Sequence, residues 1–222
     1  MGENNQLTWR LNKWQTILLF GFLLMIVYAL GTYFFDFFAG VATVGFGKMG
    51  EVWGIGMFFI YMIGYFLAII IILPILLFKN FGIGTLIFLP YAIVGFFVEY
   101  YYDWVAVQTL KGIWGVFAWA IMGLLIGLSA DITYKFLSKK ISLKIKSIIM
   151  GVVLAVVNFV LIFIILRFCY KIPLPISPIE PGSFLGVAYF GLPWLIINSG
   201  FGGYTAYAIF KELKIRSEFF KR

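Results

Sequence analysis

The stretch GIGMFFIYMIGYFLAIIIILPILLF, from Gly54 to Phe78, runs for 25 residues without a charged side chain. An α-helix rises about 1.5 Å per residue, so roughly 20 residues cross the hydrocarbon core of a bilayer. Lipid offers no hydrogen-bond partner to an open backbone, which favours a helix over irregular structure. The stretch is therefore predicted to be a membrane-spanning helix.

Five more apolar runs of comparable length lie along the chain. With 63% hydrophobic and only 12% charged residues, the composition is typical of an integral membrane protein. We expect an all-α bundle of six transmembrane helices, forming a single transmembrane domain over residues 1–222, in the cell (plasma) membrane. The predicted spans are Gln15 to Phe35, Gly54 to Phe78, Phe81 to Val98, Gly112 to Tyr134, Ile148 to Arg167 and Phe184 to Phe210.

The basic residues predict the orientation of these spans. Thirteen of the 17 Lys and Arg residues fall on the side that would hold both termini. Because basic residues concentrate on the cytoplasmic side, both termini are predicted to be cytoplasmic. The basic stretch from Lys135 to Lys146 is expected to form a loop that contacts anionic membrane lipid rather than nucleic acid.

The chain lacks the side chains on which most enzymes depend. It contains no histidine, and therefore neither the commonest general base nor the commonest metal ligand. Asp131 is the only acidic residue well inside an apolar run, near its predicted cytoplasmic end. We therefore expect no catalytic residue, no metal site and no cofactor.

Small residues spaced four apart occur in the fourth and sixth predicted spans. The pairs are Gly123 with Gly127, Ser199 with Gly203, and Gly202 with Ala206. Such spacing lines one helix face with small side chains and allows close helix contact. The faces could pack inside this bundle or dock another membrane subunit, and the sequence leaves both interpretations open.

Acidic and aromatic residues collect on the predicted external side. Flat ligand rings stack on Trp and Tyr, and carboxylates accept hydrogen bonds from exocyclic amines. Single Trp residues here also fit an aromatic belt at headgroup depth. The buried amides at Asn158 and Asn198 need a partner, either another helix or a ligand. The candidate ligand-binding residues are Glu51, Trp53, Glu99, Tyr100, Trp119, Trp194 and Asn198.

Three segments carry a resemblance to a known family. They are WRL at residues 9–11 leading to YALGT at 28–32, GEVWGI at 50–55, and LPWLIINSGFGGY at 192–204. The chain resembles the substrate-binding S components of energy-coupling factor vitamin transporters, in particular the thiamine and hydroxymethylpyrimidine branch. The six predicted spans and the small size agree with that family over nearly the whole length.

The resemblance implies capture of thiamine or a related heteroaromatic precursor from outside. It further implies docking on a transmembrane coupling subunit that carries ATPase subunits. Carried over, Glu99 and Asn198 would contact polar ligand edges, while Trp53, Trp119 and Trp194 would stack on the ring. The family's early Ala-xxx-Ala docking pattern is missing, since only Gly21 and Ala29 are small there.

Other functions remain open on sequence grounds. The main alternative is a non-catalytic accessory membrane subunit of a larger complex, in which the small-residue faces bind partner helices. A membrane enzyme acting on lipids or isoprenoids is disfavoured by the missing histidine. A channel or carrier of another family is the remaining alternative.

Overall fold

The structure is a computed structural model that describes residues 13–27, 64–100, 112–137, 141–164 and 184–219. These residues form six helices and, within those ranges, no strand, which confirms the all-α prediction. Each helix overlaps one of the predicted apolar runs. The helices are α1 (Lys13–Val27), α2 (Leu67–Phe78), α3 (Ile83–Tyr100), α4 (Gly112–Phe136), α5 (Leu143–Ile164) and α6 (Phe184–Phe219).

Both ends of the basic stretch between the fourth and fifth runs are helical, which corrects the predicted loop at Lys135 and at Lys144 to Lys146. Helix α5 begins at Leu143, so Lys144 lies in its first turn and Lys146 directly follows it. The turn is capped by Ser142, whose Oγ accepts a bond from the Ile145 amide at 3.4 Å. Lysine is a good helix former, so a helix continues past the point where apolar character ends.

The described helices differ in whether they are long enough and apolar enough to cross a membrane. One segment, Leu143–Leu161, is long enough and apolar enough to cross a membrane by length and composition. Shorter apolar helical segments cover Lys13–Val27, Gly64–Phe78 and Ile83–Val94. The described part of the chain therefore contains one full-length candidate span and three shorter apolar helices.

Helices α5 and α6 form a close antiparallel pair through small residues on both helices. The carbonyl groups of Ser147 and Ser199 contact Gly203 and Gly151 so closely that a Cβ at either glycine would overlap them. A Cβ at Gly151 would lie 2.7 Å from the Ser199 carbonyl carbon. The spacing of Ser199 with Gly203 thus serves packing inside the chain.

Helices α3 and α4 form a second antiparallel pair, also through glycines. A Cβ at Gly84 would lie 2.7 Å from the Gly127 carbonyl oxygen, and one at Gly127 would lie 2.6 Å from the Gly84 carbonyl carbon. The two backbones touch here because neither helix carries a side chain at the crossing.

Helix α2 bridges the two pairs. The turn before it contacts α6, where a Cβ at Gly202 would lie 3.2 Å from the Tyr65 carbonyl carbon and 2.9 Å from Ala68 Cβ. Its later part contacts α3, because Ile75 Cδ1 lies 3.1 Å from the Cβ position of Gly84. A helix that is apolar on all sides belongs in the centre of a bundle. Its buried residues are Leu67, Ala68, Ile70, Ile71, Ile72, Leu73, Pro74, Ile75 and Leu76.

Helix α1 packs on α3 through a further glycine. A Cβ at Gly21 would lie 2.8 Å from Pro90 Cγ and 3.1 Å from the Ile87 carbonyl oxygen. Ile17 and Leu24 of the same helix are buried in the main core. Gly21, a small residue in the first half of the first predicted span, therefore packs against α3 of the same chain.

Candidate functional site

The most elaborate polar site among the described residues surrounds the buried Asp131 carboxylate. Asp131 lies near the end of α4 and is 1% exposed. Its Oδ1 accepts a hydrogen bond from the Gly84 amide at 2.9 Å. Its Oδ2 accepts bonds from the Thr85 amide at 2.9 Å and from Thr85 Oγ1 at 2.8 Å. One carboxylate thus receives three donors from the first turn of α3.

The position of these donors explains why a carboxylate is required. The first amides of a helix have no partner within the helix, and a side chain at the N-cap usually bonds the second and third of them. The Leu86 amide bonds the Gly82 carbonyl at 2.9 Å, which makes Gly82 the N-cap of α3. Glycine has no side chain, so Asp131 supplies the cap from another helix. The positive end of the α3 dipole further favours its negative charge.

The turn before α3 brings this helix start into place. Lys79 has φ 54° and donates its amide to the Ile75 carbonyl at 2.8 Å, which closes the end of α2. Gly82 has φ 92°, a conformation that L side chains rarely adopt. Two residues with positive φ thus reverse the chain between α2 and α3, and the Gly84–Gly127 crossing holds α3 against α4.

The predicted ligand-binding residues are only partly covered by the structure. Glu51 and Trp53 lie outside the described residues. Glu99 and Tyr100 end α3, and Trp119 lies in the first half of α4, but their side chains are outside what the structure describes. By backbone position, all three lie away from the Asp131 cap, toward the opposite end of the α3/α4 pair.

The two predicted site residues on α6 are described in full. Trp194 is 58% exposed, so its ring lies on the bundle surface. Asn198, one turn later, is half-buried. Both precede the part of α6 that packs on the start of α5, and they lie toward the same end of the bundle as Glu99.

Another polar residue, Asn158 of α5, is fully buried. It is 0% exposed, and neither its Nδ2 nor its Oδ1 has a hydrogen-bond partner among the residues that the structure describes. The α5/α6 contacts pair Ser147 with Gly203 and Gly151 with Ser199. One turn further along both helices, the same pairing brings Ala155 to the level of Leu195, and these two residues belong to one apolar cluster. One more turn places Asn158 near the height of Leu192, which is within about 10 Å of Asn198 along α6 by helical rise.

Sequence reasoning noted Asp131 but did not find its role. The signal was present in part, because a glycine-rich helix start at residues 82–84 leaves amides that need an acceptor. What the sequence could not indicate was which helix would supply that acceptor.

No family model, no curated protein and no solved structure matches this chain.

Proposed function

We propose that this chain is the membrane-embedded substrate-capture subunit of an ATP-driven uptake transporter. It binds a small heteroaromatic molecule of the thiamine or thiamine-precursor class from the outside, with both termini in the cytoplasm. The chain performs no chemistry on this molecule. A separate transmembrane coupling subunit and ATPase subunits supply the energy.

The distribution of apolar side chains supports a location in the membrane. Large apolar residues are exposed along one face of α1, and others are exposed on α5 and α6. Soluble monomers rarely expose contiguous apolar surface on this scale, whereas lipid covers it at no cost. Examples are Leu18, Phe22, Ile26, Val156, Val160, Ile197 and Phe201, all more than a third exposed.

The observation that carries the binding proposal is the Asn158 amide. Leaving a buried amide without a partner costs roughly 2–7 kcal/mol, so such a group calls for a hydrogen-bonding partner. A carboxamide offers one acceptor beside one donor, which complements the ring nitrogen and exocyclic amine of an aminopyrimidine. Asn158 lies toward the same end of the bundle as Trp194 and Asn198, and as the predicted residues Glu99 at the end of α3 and Trp119 in the first half of α4.

The accessory-subunit alternative loses part of its basis. Its docking surfaces were to be the small-residue faces on α4 and α6. Gly127 packs on α3, Gly203 packs on α5, and Gly202 packs on the turn before α2. These faces are occupied within the chain, so they favour a self-contained bundle that holds a ligand.

Thermal unfolding of the purified protein with a panel of vitamins tests the proposal. A ligand at 100 times its Kd adds about 2.7 kcal/mol of stability. We expect a raised Tm with thiamine, a thiamine precursor or a related heteroaromatic compound, and loss of that rise in Glu99→Ala and Trp119→Ala. An unchanged Tm across the panel would refute ligand capture.

The Asn158→Leu variant provides a sharper signature. Replacing an unpaired buried amide by an apolar side chain of similar size removes an unfavourable group, so the ligand-free protein should gain about 1–3 kcal/mol. The same variant should lose the ligand-dependent rise in Tm. Exposed Val156, on the same helix, gives the control Val156→Leu, in which neither quantity changes. A stabilised variant that still responds to ligand would remove Asn158 from the site.

Orientation and partners are tested separately. In a Cys169→Ser background, a cysteine at Asp103 should react with an impermeant thiol reagent from outside, and one at Ser142 should not. Labelling in the reverse pattern would invert the topology. Co-purification from native membranes should bring down coupling and ATPase subunits, whereas subunits of a respiratory or other enzyme complex would contradict the transporter assignment.

A further inference from the structure

Asn158 differs from other buried polar side chains in that no described group fixes its orientation. Asp131 and Ser147 are also buried. Both Asp131 oxygens accept bonds of 2.8–2.9 Å from the start of α3, and Ser147 Oγ donates to the Leu143 carbonyl at 2.8 Å. Each of these groups therefore has one preferred direction. Neither amide atom of Asn158 has such a partner among the residues that the structure describes.

The neighbours of Asn158 on its own helix offer nothing that would orient the amide. Residues three and four positions away share a helix face with it. On α5 these are Leu154, Ala155, Leu161 and Ile162, all apolar. Leu154 and Ala155 are 1% and 2% exposed, and Ala155 belongs to the apolar cluster that α5 forms with α6. None of the four side chains carries a charge, a donor or an acceptor.

An asparagine amide in such surroundings has two nearly equivalent orientations. The torsion that turns the amide is broad and roughly two-fold. A half-turn exchanges the acceptor Oδ1 with the donor Nδ2 while the shape of the group hardly changes. A hydrogen-bond partner normally decides between the two orientations. At Asn158 that decision falls to the molecule that binds there.

We propose that Asn158 turns its amide to match the ligand, so that the site takes flat heteroaromatic rings whose edge presents a donor beside an acceptor in either order. This inference rests on the proposed function, namely ligand capture at Asn158. In a 4-aminopyrimidine the exocyclic amine donates and the adjacent ring nitrogen accepts. In a 4-pyrimidinone the adjacent ring N–H donates and the exocyclic oxygen accepts. The substrate class therefore includes both amino- and oxo-pyrimidines.

Three pyrimidines that differ only at the fourth ring position test this substrate class. They carry an amino, an oxo or a methyl group there, and each is titrated calorimetrically into the purified protein. The amino and oxo compounds should bind within about fivefold of each other, a difference smaller than one typical hydrogen bond. The methyl compound should bind at least about tenfold more weakly, because it leaves one buried amide atom of Asn158 unpaired.

This comparison is made on the parent protein and needs no variant. Asn158→Leu adds a second signature: the apolar side chain should reverse the order, so that the methyl compound binds best. Val156→Leu, on the same helix, is the control and should keep the parent order, since Val156 is 38% exposed and lies outside the site.

Separate outcomes overturn this inference and the proposed function. Binding of only one of the amino and oxo compounds would show an amide fixed in one orientation. Equal binding of the methyl and amino compounds would show that Asn158 does not contact this edge of the ring. Binding of none of the three, while another vitamin raises Tm, would also overturn the inference. All three results leave ligand capture standing, whereas an unchanged Tm with every compound refutes ligand capture itself.

Discussion

Asp131 of α4 caps the start of a different helix, α3. An N-cap side chain usually belongs to the helix that it caps, but here the cap residue is Gly82 and the acceptor comes from α4. Three charge-assisted bonds of 2.8–2.9 Å link the two helices at this point. Hydrogen bonds to a charged group stabilise more than neutral ones, and the donors become unsatisfied if the carboxylate is lost.

Asp131→Leu is expected to lower the free energy of unfolding by about 2–4 kcal/mol, because it leaves buried amide donors without an acceptor. Asp131→Asn should lose less, since one oxygen still accepts. Chemical unfolding in micelles measures both changes. The control is Ser129→Ala on the same helix, whose hydroxyl donates a hydrogen bond to the Ile126 carbonyl of its own helix at 2.7 Å. Equal stability of Asp131→Leu and Ser129→Ala would contradict the capping role.

At the scale of the helices, packing depends on where a glycine stands rather than on how many there are. Gly203 and Gly200 are less than one turn apart on α6, yet their surroundings differ. A Cβ at Gly203 would overlap the Ser147 carbonyl group, whereas one at Gly200 would lie 3.7 Å from the methyl carbons of Ile148 and Val152. The first position needs glycine, and the second has room for alanine.

These two positions give a matched pair of substitutions on one helix. Gly200→Ala should raise the free energy of unfolding by about 0.5–1 kcal/mol, because alanine is the better helix former and meets ordinary contacts. Gly203→Ala should lower it by about 1–3 kcal/mol, since α5 and α6 must separate to admit the methyl group. Thermal unfolding of the two variants beside the parent measures both. The same sign for both variants would contradict the α5/α6 contact.

At the scale of the whole molecule, the sequence predicted the helices much better than their contacts. Apolar length alone located all six, because that signal needs no knowledge of neighbours. The predicted boundaries were wrong where a helix extends into charged residues. Helix α5, for example, begins at Leu143, whereas the predicted apolar run begins at Ile148. The Asp131 cap could not be predicted, nor could the lack of a partner for Asn158 among the described residues, since each depends on which helix lies opposite. All seven predicted ligand-binding residues stay predictions: Glu51, Trp53, Glu99, Tyr100, Trp119, Trp194 and Asn198.

The proposed membrane location makes its own prediction about the outer surface. Val156 of α5 is 38% exposed and lies well inside the candidate span Leu143–Leu161. Val156→Lys should cost about 2.5–3.5 kcal/mol if that surface faces lipid. Phe136→Lys, at the basic end of α4 where the side chain is 81% exposed, should cost much less. Membrane yield and Tm in nanodiscs report the difference, and equal tolerance would place Val156 in water.

The shared cap between α3 and α4 has a consequence for biosynthesis. A nascent chain emerges with α3 first, and its opening amides then lack the acceptor that α4 will bring. In the proposed membrane location, the two helices should therefore be integrated as one hairpin, with α3 held by the insertion machinery or a chaperone until Asp131 arrives. Released truncated chains that end before residue 131 should be degraded or extracted more readily than released chains that end after residue 137.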